Sequence, residues 1–259
     1  MNEIRRIRPS LGTWVAVQCT AEGADTARHA LEAAFAAIDR VDRLMHPSRE
    51  GSDLRRIRET GVGAVDVDGW TWMVLRAAAQ LHAESRGAFD PCTSDRPGTM
   101  DDVHVVEANR VETTRVVAID FGGIAKGFAV DRAIDALRAR GCSAGEVNAG
   151  GDLRVFGPTA TEIFIRADDA CRAIRLRDAA CAVSGASETA RPPEHRGYRR
   201  RDVPGEFVAA SRSAAIVAPS ALWADALATY AMVCRAPGEG LRLREVLALH
   251  DARRVDLGR

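Results

Sequence analysis

Ile119-Asp120-Phe121-Gly122-Gly123-Ile124-Ala125-Lys126-Gly127 is the stretch from which the rest of this 259-residue chain is read. Three glycines in six positions let the backbone come close to another group, because no Cβ intervenes. A helix is predicted to follow at once, and helix N-termini favour anions. The stretch reads as a turn where a phosphate-bearing ligand and a metal ion meet the protein. Lys126 is the one lysine of the chain; the other 35 of its 36 basic residues are arginines. A compact ammonium and a planar guanidinium are not interchangeable in a tight site. A lysine kept inside a Gly-rich turn therefore points to a specific charge, the alternative being that one lysine simply falls there. The spacing is neither G-x-x-x-x-G-K-[ST], since Lys126 precedes Gly127, nor G-x-G-x-x-G.

Outward from the turn, residues 111–119 read as a strand leading in. The helix after Lys126 buries Val130, Ile134 and Leu137 and stops near Gly141. Short strands are predicted at 146–148, 153–156, 162–166, 173–176 and 181–184, with Gly150-Gly151 turning between the first two. Residues 185–207 are polar, contain Pro192-Pro193 and read as a long loop. A strand at 214–217 precedes a helix from about 221 to 234 that Ser220 can cap. A further helix at 241–249 and a short strand at 253–257 close the chain. Upstream, 12–20 reads as a strand and 24–45 as an amphipathic helix through Leu31, Phe35, Ile38, Val41 and Met45. Ser52 or Asp53 caps a short helix through Ile57, and 61–68 is a loop with a short strand. A helix at 70–85 stops at Gly87 and Pro91, and 92–110 reads as a surface excursion. Helices and strands mix without strict alternation. That predicts an α+β fold with mostly antiparallel sheet and packed helices, not a doubly wound parallel sheet.

Composition narrows the function classes. A hydrophobic fraction of 46% supports a full core, and zero net charge argues against a nucleic-acid surface. The run Arg199-Arg200-Arg201 reads as a solvated loop. Six cysteines without C-x-x-C spacing fit reduced, buried thiols better than a disulfide framework. The N-terminus shows no apolar signal core, and no apolar run approaches the length of a membrane span. The expectation is a cytoplasmic protein.

Beyond the turn, Ala224-Asp225-Ala226-Leu227-Ala228-Thr229 places Asp225 and Thr229 at i, i+4 on one helix face. Hard oxygen ligands of this kind suit Mg²⁺, which completes its shell with phosphate oxygens and water. The alternative is a threonine bonded back to its own helix beside an exposed aspartate. Asn148-Ala149-Gly150-Gly151-Asp152 is either a ligand-contacting turn or an ordinary hairpin. Ser184-Gly185 and Ala88-Phe89-Asp90 are turn segments in which Phe89 can pack and Asp90 can accept hydrogen bonds from a base or ribose, or plain loops.

Together and in order, these pieces resemble the ApbE family of FAD:protein FMN transferases over nearly the whole chain. Leu11-Gly12-Thr13 is similar to its M-G-T start, and Met45 with Ser52-Asp53-Leu54 to its M-S-x-x-x-x-x-S-x-L segment. Gly87 to Pro91 is similar to G-x-F-D-P, Asp120 to Gly127 to D-x-G-G-I-A-K-G, and Asn148 to Asp152 to N-x-G-G-D. Ser184-Gly185 is similar to its S-G turn and Ala224 to Thr229 to A-D-A-x-x-T. The resemblance implies a single domain over 1–259, built as a duplicated T-fold. It implies a flavin transferase that splits the FAD pyrophosphate, gives FMN to a threonine of a partner protein and releases AMP. Mg²⁺ would be held by Ala125 (through its carbonyl), Asp225 and Thr229. FAD would be contacted through Met45, Ala88, Phe89, Asp90, Asp120, Gly122, Gly123, Lys126, Asn148, Gly150, Gly151 and Ser184. Lys126 and Asp225 are the residues expected to serve catalysis. One segment departs from the pattern: the family's H-I-I-D-P-x-T-G corresponds to Tyr198-Arg199-Arg200-Arg201-Asp202-Val203-Pro204-Gly205, and His195 lies a few residues early. The alternative this leaves is an FAD-binding protein or an FAD pyrophosphatase without protein flavinylation.

Overall fold

The computed structural model describes residues 1–167, 170–185, 213–234 and 237–257. In chain order the elements are β1 (Asn2–Ser10), β2 (Thr13–Ala21), α1 (Ala24–Met45), α2 (Asp53–Thr60), β3 (Gly63–Asp66), α3 (Gly69–Glu84), β4 (Val103–Val105), β5 (Arg110–Thr113) and α4 (Ala125–Ala139). There follow β6 (Ala144–Ala149), β7 (Asp152–Phe156), β8 (Thr161–Ala167), β9 (Ala170–Leu176), β10 (Ala180–Gly185), β11 (Ser213–Ala218), α5 (Ala221–Val233), α6 (Pro237–Leu249) and β12 (Arg253–Arg254).

A seven-stranded sheet runs in the order β1-β2-β6-β7-β10-β11-β12, with a three-stranded sheet β3-β5-β4 and a ribbon β8-β9 beside it. Every ladder among the described residues is antiparallel, so the expected α+β architecture holds. The large sheet has two apolar faces because its side chains alternate. Val15, Val17, Val147, Ala182 and Ile216 face the helices α1, α4 and α5 in the main core. Leu153, Val155, Cys181, Ala215 and Val217 face the other way and are covered by Ile163, Ile165 and Leu176 of the ribbon. Helix α1 buries Leu31, Phe35, Ile38, Val41 and Met45, the residues whose spacing predicted it. The Ser52 hydroxyl caps α2 by accepting from the Arg55 N–H at 3.2 Å.

Two segments differ from expectation. β1 was not foreseen: it is an edge strand, mostly exposed, carrying arginines where a central strand carries apolar residues. Residues 111–119 do not form one strand. β5 ends at Thr113, and carbonyls of the rest of that stretch accept hydrogen bonds from a neighbouring loop: Gly98 N–H donates to the Val116 carbonyl (3.0 Å) and Thr93 N–H to the Ala118 carbonyl (2.7 Å). The 92–110 excursion is thereby held to the body, with Cys92, Met100 and Val103 buried. No helix among the described residues is long and apolar enough to cross a membrane.

Candidate active site

Helices α4 and α5 pack together at the Gly-rich turn, and two of its glycines are needed for that contact. A Cβ on Gly127 would overlap the Ala221 carbonyl oxygen and would lie 2.6 Å from that carbonyl carbon and 2.8 Å from the Asp225 Cβ. A Cβ on Gly123 would lie 2.7 Å from Thr229 Oγ1. At these two positions the glycine lets α5 approach closely. Gly122 differs, since its Cβ would meet nothing nearer than Asp120 Oδ1 at 3.2 Å. The aspartate also turns the chain there, its Oδ1 accepting from the Gly122 N–H at 2.8 Å.

The close approach of α5 brings three charged groups together. Gly127 N–H, in the first turn of α4, donates to Asp225 Oδ2 at 3.0 Å. That satisfies a helix N-terminal N–H which has no partner within its own helix. Lys126 Nζ pairs with Asp152 Oδ2 and lies 4.0 Å from Asp225 Oδ1. Asp152 is delivered by the hairpin between β6 and β7. There Gly150 and Gly151 take φ of +67° and +106°, and Asn148 Oδ1 accepts from the Gly151 N–H at 3.1 Å. The segment 148–152 is thus a tight hairpin turn, and Gly150 seats it against Thr13, whose Oγ1 would be 2.5 Å from a Cβ there.

Asp152 and Asp225 are each 2% exposed, yet they share one ammonium. Burial pushes the Asp152 carboxyl up to about 7, Asp225 adds repulsion, and Lys126 opposes both. Burial likewise raises Asp225, against Lys126 and the Gly127 N–H. Among the described residues one cation, Lys126, faces these two buried carboxyls, and burial favours the neutral form of each.

One oxygen beside them is unsatisfied. Thr229 Oγ1 is buried and has no hydrogen-bond partner among the described residues, so the reading in which it bonds back to its own helix does not hold. Nor is Asp225 an exposed carboxylate. A buried hydroxyl without a partner costs roughly 1–3 kcal/mol, a cost relieved if its lone pairs face a cation. Ala125 opens α4 two residues beyond Gly123, and a carbonyl oxygen keeps a second lone pair after its helical bond. A carboxylate, a hydroxyl and a carbonyl are hard donors that fit Mg²⁺. No group of three or more His, Cys, Asp or Glu side chains suited to a metal occurs among the described residues; these donors would escape such a pattern because two of the three are a hydroxyl and a backbone oxygen.

The other candidates lie around this centre. The loop after α3 is stitched to the turn, as Asp120 N–H donates to the Pro91 carbonyl (2.9 Å) and Cys92 bridges Ile119. Phe89 is held by Ser85 Oγ, which accepts its N–H at 3.0 Å, and by the His82 ring nitrogen, 2.9 Å from its carbonyl. Asp90 Oδ1 accepts from the Cys92 N–H at 2.9 Å, and Ala88 is half-buried. Met45 ends α1 inside the main core, and Ser184 is buried near the end of β10. Residues 195 and 198–205, where the family histidine motif departs, lie outside the described residues.

Asp152 was quoted from the sequence only as part of its motif, and Asp131 and Arg154 were not singled out. Asp131 had a signal: it falls between Val130 and Ile134, both fully buried, on the apolar stripe of α4, where a carboxylate needs partners.

The family model described as ApbE family matches residues 11–97 and 94–250. The chain is similar in fold to the apo form of flavinyl transferase ApbE from Pseudomonas stutzeri, with a TM-score of 0.79, 24% identity, and 95% of this chain and 88% of that one covered. It is likewise similar to the ApbE protein from Thermotoga maritima (TM-score 0.79, 24% identity, 96% and 92% covered). For the flavin transferase ApbE from Vibrio cholerae the values are 0.74, 20%, 98% and 92%. No curated protein matches the sequence.

Proposed function

The chain belongs to the ApbE family, and from that premise we propose that it is an Mg²⁺-dependent FAD:protein FMN transferase whose residues 1–259 act as a single domain. The supporting observation is the buried Thr229 hydroxyl, without a hydrogen-bond partner among the described residues, on the helix whose Asp225 shares Lys126 with Asp152. Asp225, Thr229 and the Ala125 carbonyl are the donors for Mg²⁺. When bound, the ion supplies positive charge to the diphosphate oxygens of FAD.

The chain's own groups do the rest. Lys126 offers N–H donors and charge to the diphosphate, and Asp152 holds its ammonium at the pocket wall. The α3 loop with Ala88, Phe89 and Asp90, and the Asp120–Gly123 turn, flank the flavin and ribose. Asn148, Gly150, Gly151, Ser184 and Met45 complete the FAD contacts. The acceptor threonine oxygen forms a bond to the FMN-side phosphorus. The bond from that phosphorus to the bridging oxygen breaks, AMP leaves with that oxygen, and the hydroxyl proton passes to water. Positioning and charge supply most of the acceleration in such transfers. The partner is a protein with a threonine-containing acceptor motif. Six cysteines that form no disulfide among the described residues fit a reducing compartment, and we place the reaction in the cytoplasm.

A second reading rests on the altered segment 198–205: FAD is bound, or hydrolysed to FMN and AMP, without transfer to protein. Incubation with FAD, Mg²⁺ and a threonine-containing acceptor separates the readings. Fluorescent acceptor plus AMP supports transfer. AMP without labelled acceptor supports hydrolysis, and FAD retained without either product supports binding alone.

A further inference from the structure

Asp131 takes no part in the chemistry above, yet it is 4% exposed and fully engaged. Its Oδ1 accepts from the Ala221 N–H at 2.9 Å and from Arg154 Nη1 at 2.6 Å; its Oδ2 accepts from the Leu222 N–H at 2.9 Å. Ala221 and Leu222 open α5, and the next N–H, of Trp223, goes to the Ser220 hydroxyl at 3.4 Å. Asp131 thus satisfies two N–H groups that α5 cannot satisfy itself. Its negative charge also sits at the positive end of that helix.

The arrangement is reciprocal. α4 lends Asp131 to the start of α5, and α5 lends Asp225 to the first turn of α4. Arg154 adds the third element, being two residues along β7 from Asp152, the partner of Lys126. One carboxylate therefore references α4, α5 and β7, the three elements that bring Lys126, Asp225, Thr229 and Asp152 together.

We propose that Asp131 is a positioning residue, which sets the placement of α5 so that Asp225 and Thr229 reach a common metal ion. This rests on the metal assignment above. Asp225 lies one helical turn beyond Ala221 and Thr229 about one turn further, so a shift at the gripped end moves both oxygens together.

The test is metal binding by the full-length protein, measured by titration calorimetry with Mn²⁺ and Mg²⁺ and without FAD. Asp131→Asn places an amide N–H₂ against N–H or guanidinium donors; Arg154→Gln removes the guanidinium but leaves the helix cap intact. Asp131→Asn is expected to bind either ion about tenfold more weakly, a difference of ~1.4 kcal/mol. Arg154→Gln shifts affinity the same way by a smaller factor, and it carries the test if Asp131→Asn does not fold. Wild-type affinity in a folded Asp131→Asn, or in Arg154→Gln where that variant stands in, reduces Asp131 to a helix cap and overturns the proposal even if melting temperature falls. Failure of the unsubstituted protein to bind either ion overturns the metal assignment itself, and the role of Asp131 with it.

Discussion

Replacing Gly127 by alanine probes the contact on which the site depends. In an isolated helix the change would gain about 1 kcal/mol of helix propensity. Here the new methyl would lie 2.6 Å from the Ala221 carbonyl carbon, where carbon atoms normally sit ~3.5 Å apart or more. α5 must therefore retreat by about 1 Å. Overpacking of this kind costs roughly 1–3 kcal/mol. The retreat also stretches the 3.0 Å bond from Gly127 N–H to Asp225, a charge-assisted contact worth about 1.5–3 kcal/mol. The net expectation is a loss of ~3 kcal/mol, which lowers the melting temperature by roughly 10 °C in a chain of this size. Flavin transfer falls further, by about a hundredfold, as a 1 Å misplacement of reacting groups can cost. Thermal unfolding by circular dichroism, with Gly122→Ala as the stability control, gives the first number; AMP release gives the second. A Gly127→Ala protein melting within about 2 °C of the parent would refute the claim that this glycine sets the helix–helix distance.

Thr229→Val should leave metal-free protein as stable as the parent or about 1 kcal/mol more so, since it removes a buried unpaired hydroxyl. Its stabilisation by Mg²⁺ in a thermal shift assay should largely vanish; undiminished stabilisation would remove Thr229 from the ligand set. Lys126→Met removes the cation that Asp152 and Asp225 share and should cost about 3–5 kcal/mol in urea unfolding at neutral pH; a cost below ~1 kcal/mol would show that the pair is solvated. Asp225→Ala should abolish Mg²⁺-dependent AMP release, and an unchanged rate would discard the metal assignment. Burial raises the Asp152 carboxyl from 3.8 to about 7, so between those values the folded chain keeps a proton that the unfolded chain has lost. Its stabilisation is complete below pH 3.8 and is lost as pH rises through about 7. Chelator-treated protein should lose up to ~1.4 kcal/mol per pH unit across that window, and Asp152→Asn should flatten the decline; equal slopes would exclude Asp152 as its source.

Much of this architecture was legible where physical pattern is local. The 24–45 helix declared itself through its apolar stripe, and the caps at Ser52 and Ser220 through residue type just ahead of a periodic run. Asp225 and Thr229 could be paired because both lie on one helix. β1 stayed hidden because an edge strand with arginines lacks the alternation that betrays a central one. The roles of Gly123 and Gly127 stayed hidden for a different reason: what a glycine makes room for depends on what packs against it, here a helix about a hundred residues later. Asp152 is a similar case, since its motif shows a turn but its partnership with Lys126 exists only after β7 is placed beside α4.

The exchange of aspartates between α4 and α5 spans 98 residues in one direction and 90 in the other. A chain emerging from the ribosome thus carries α4 for a long interval with its first turn incomplete. The oxygens suited to an ion arrive only with α5, whose Asp225 follows Gly127 by 98 residues. A nascent fragment that ends between the Gly-rich turn and α5 has neither Asp225 nor Thr229, so the centre where the two helices meet assembles only once α5 has packed on α4.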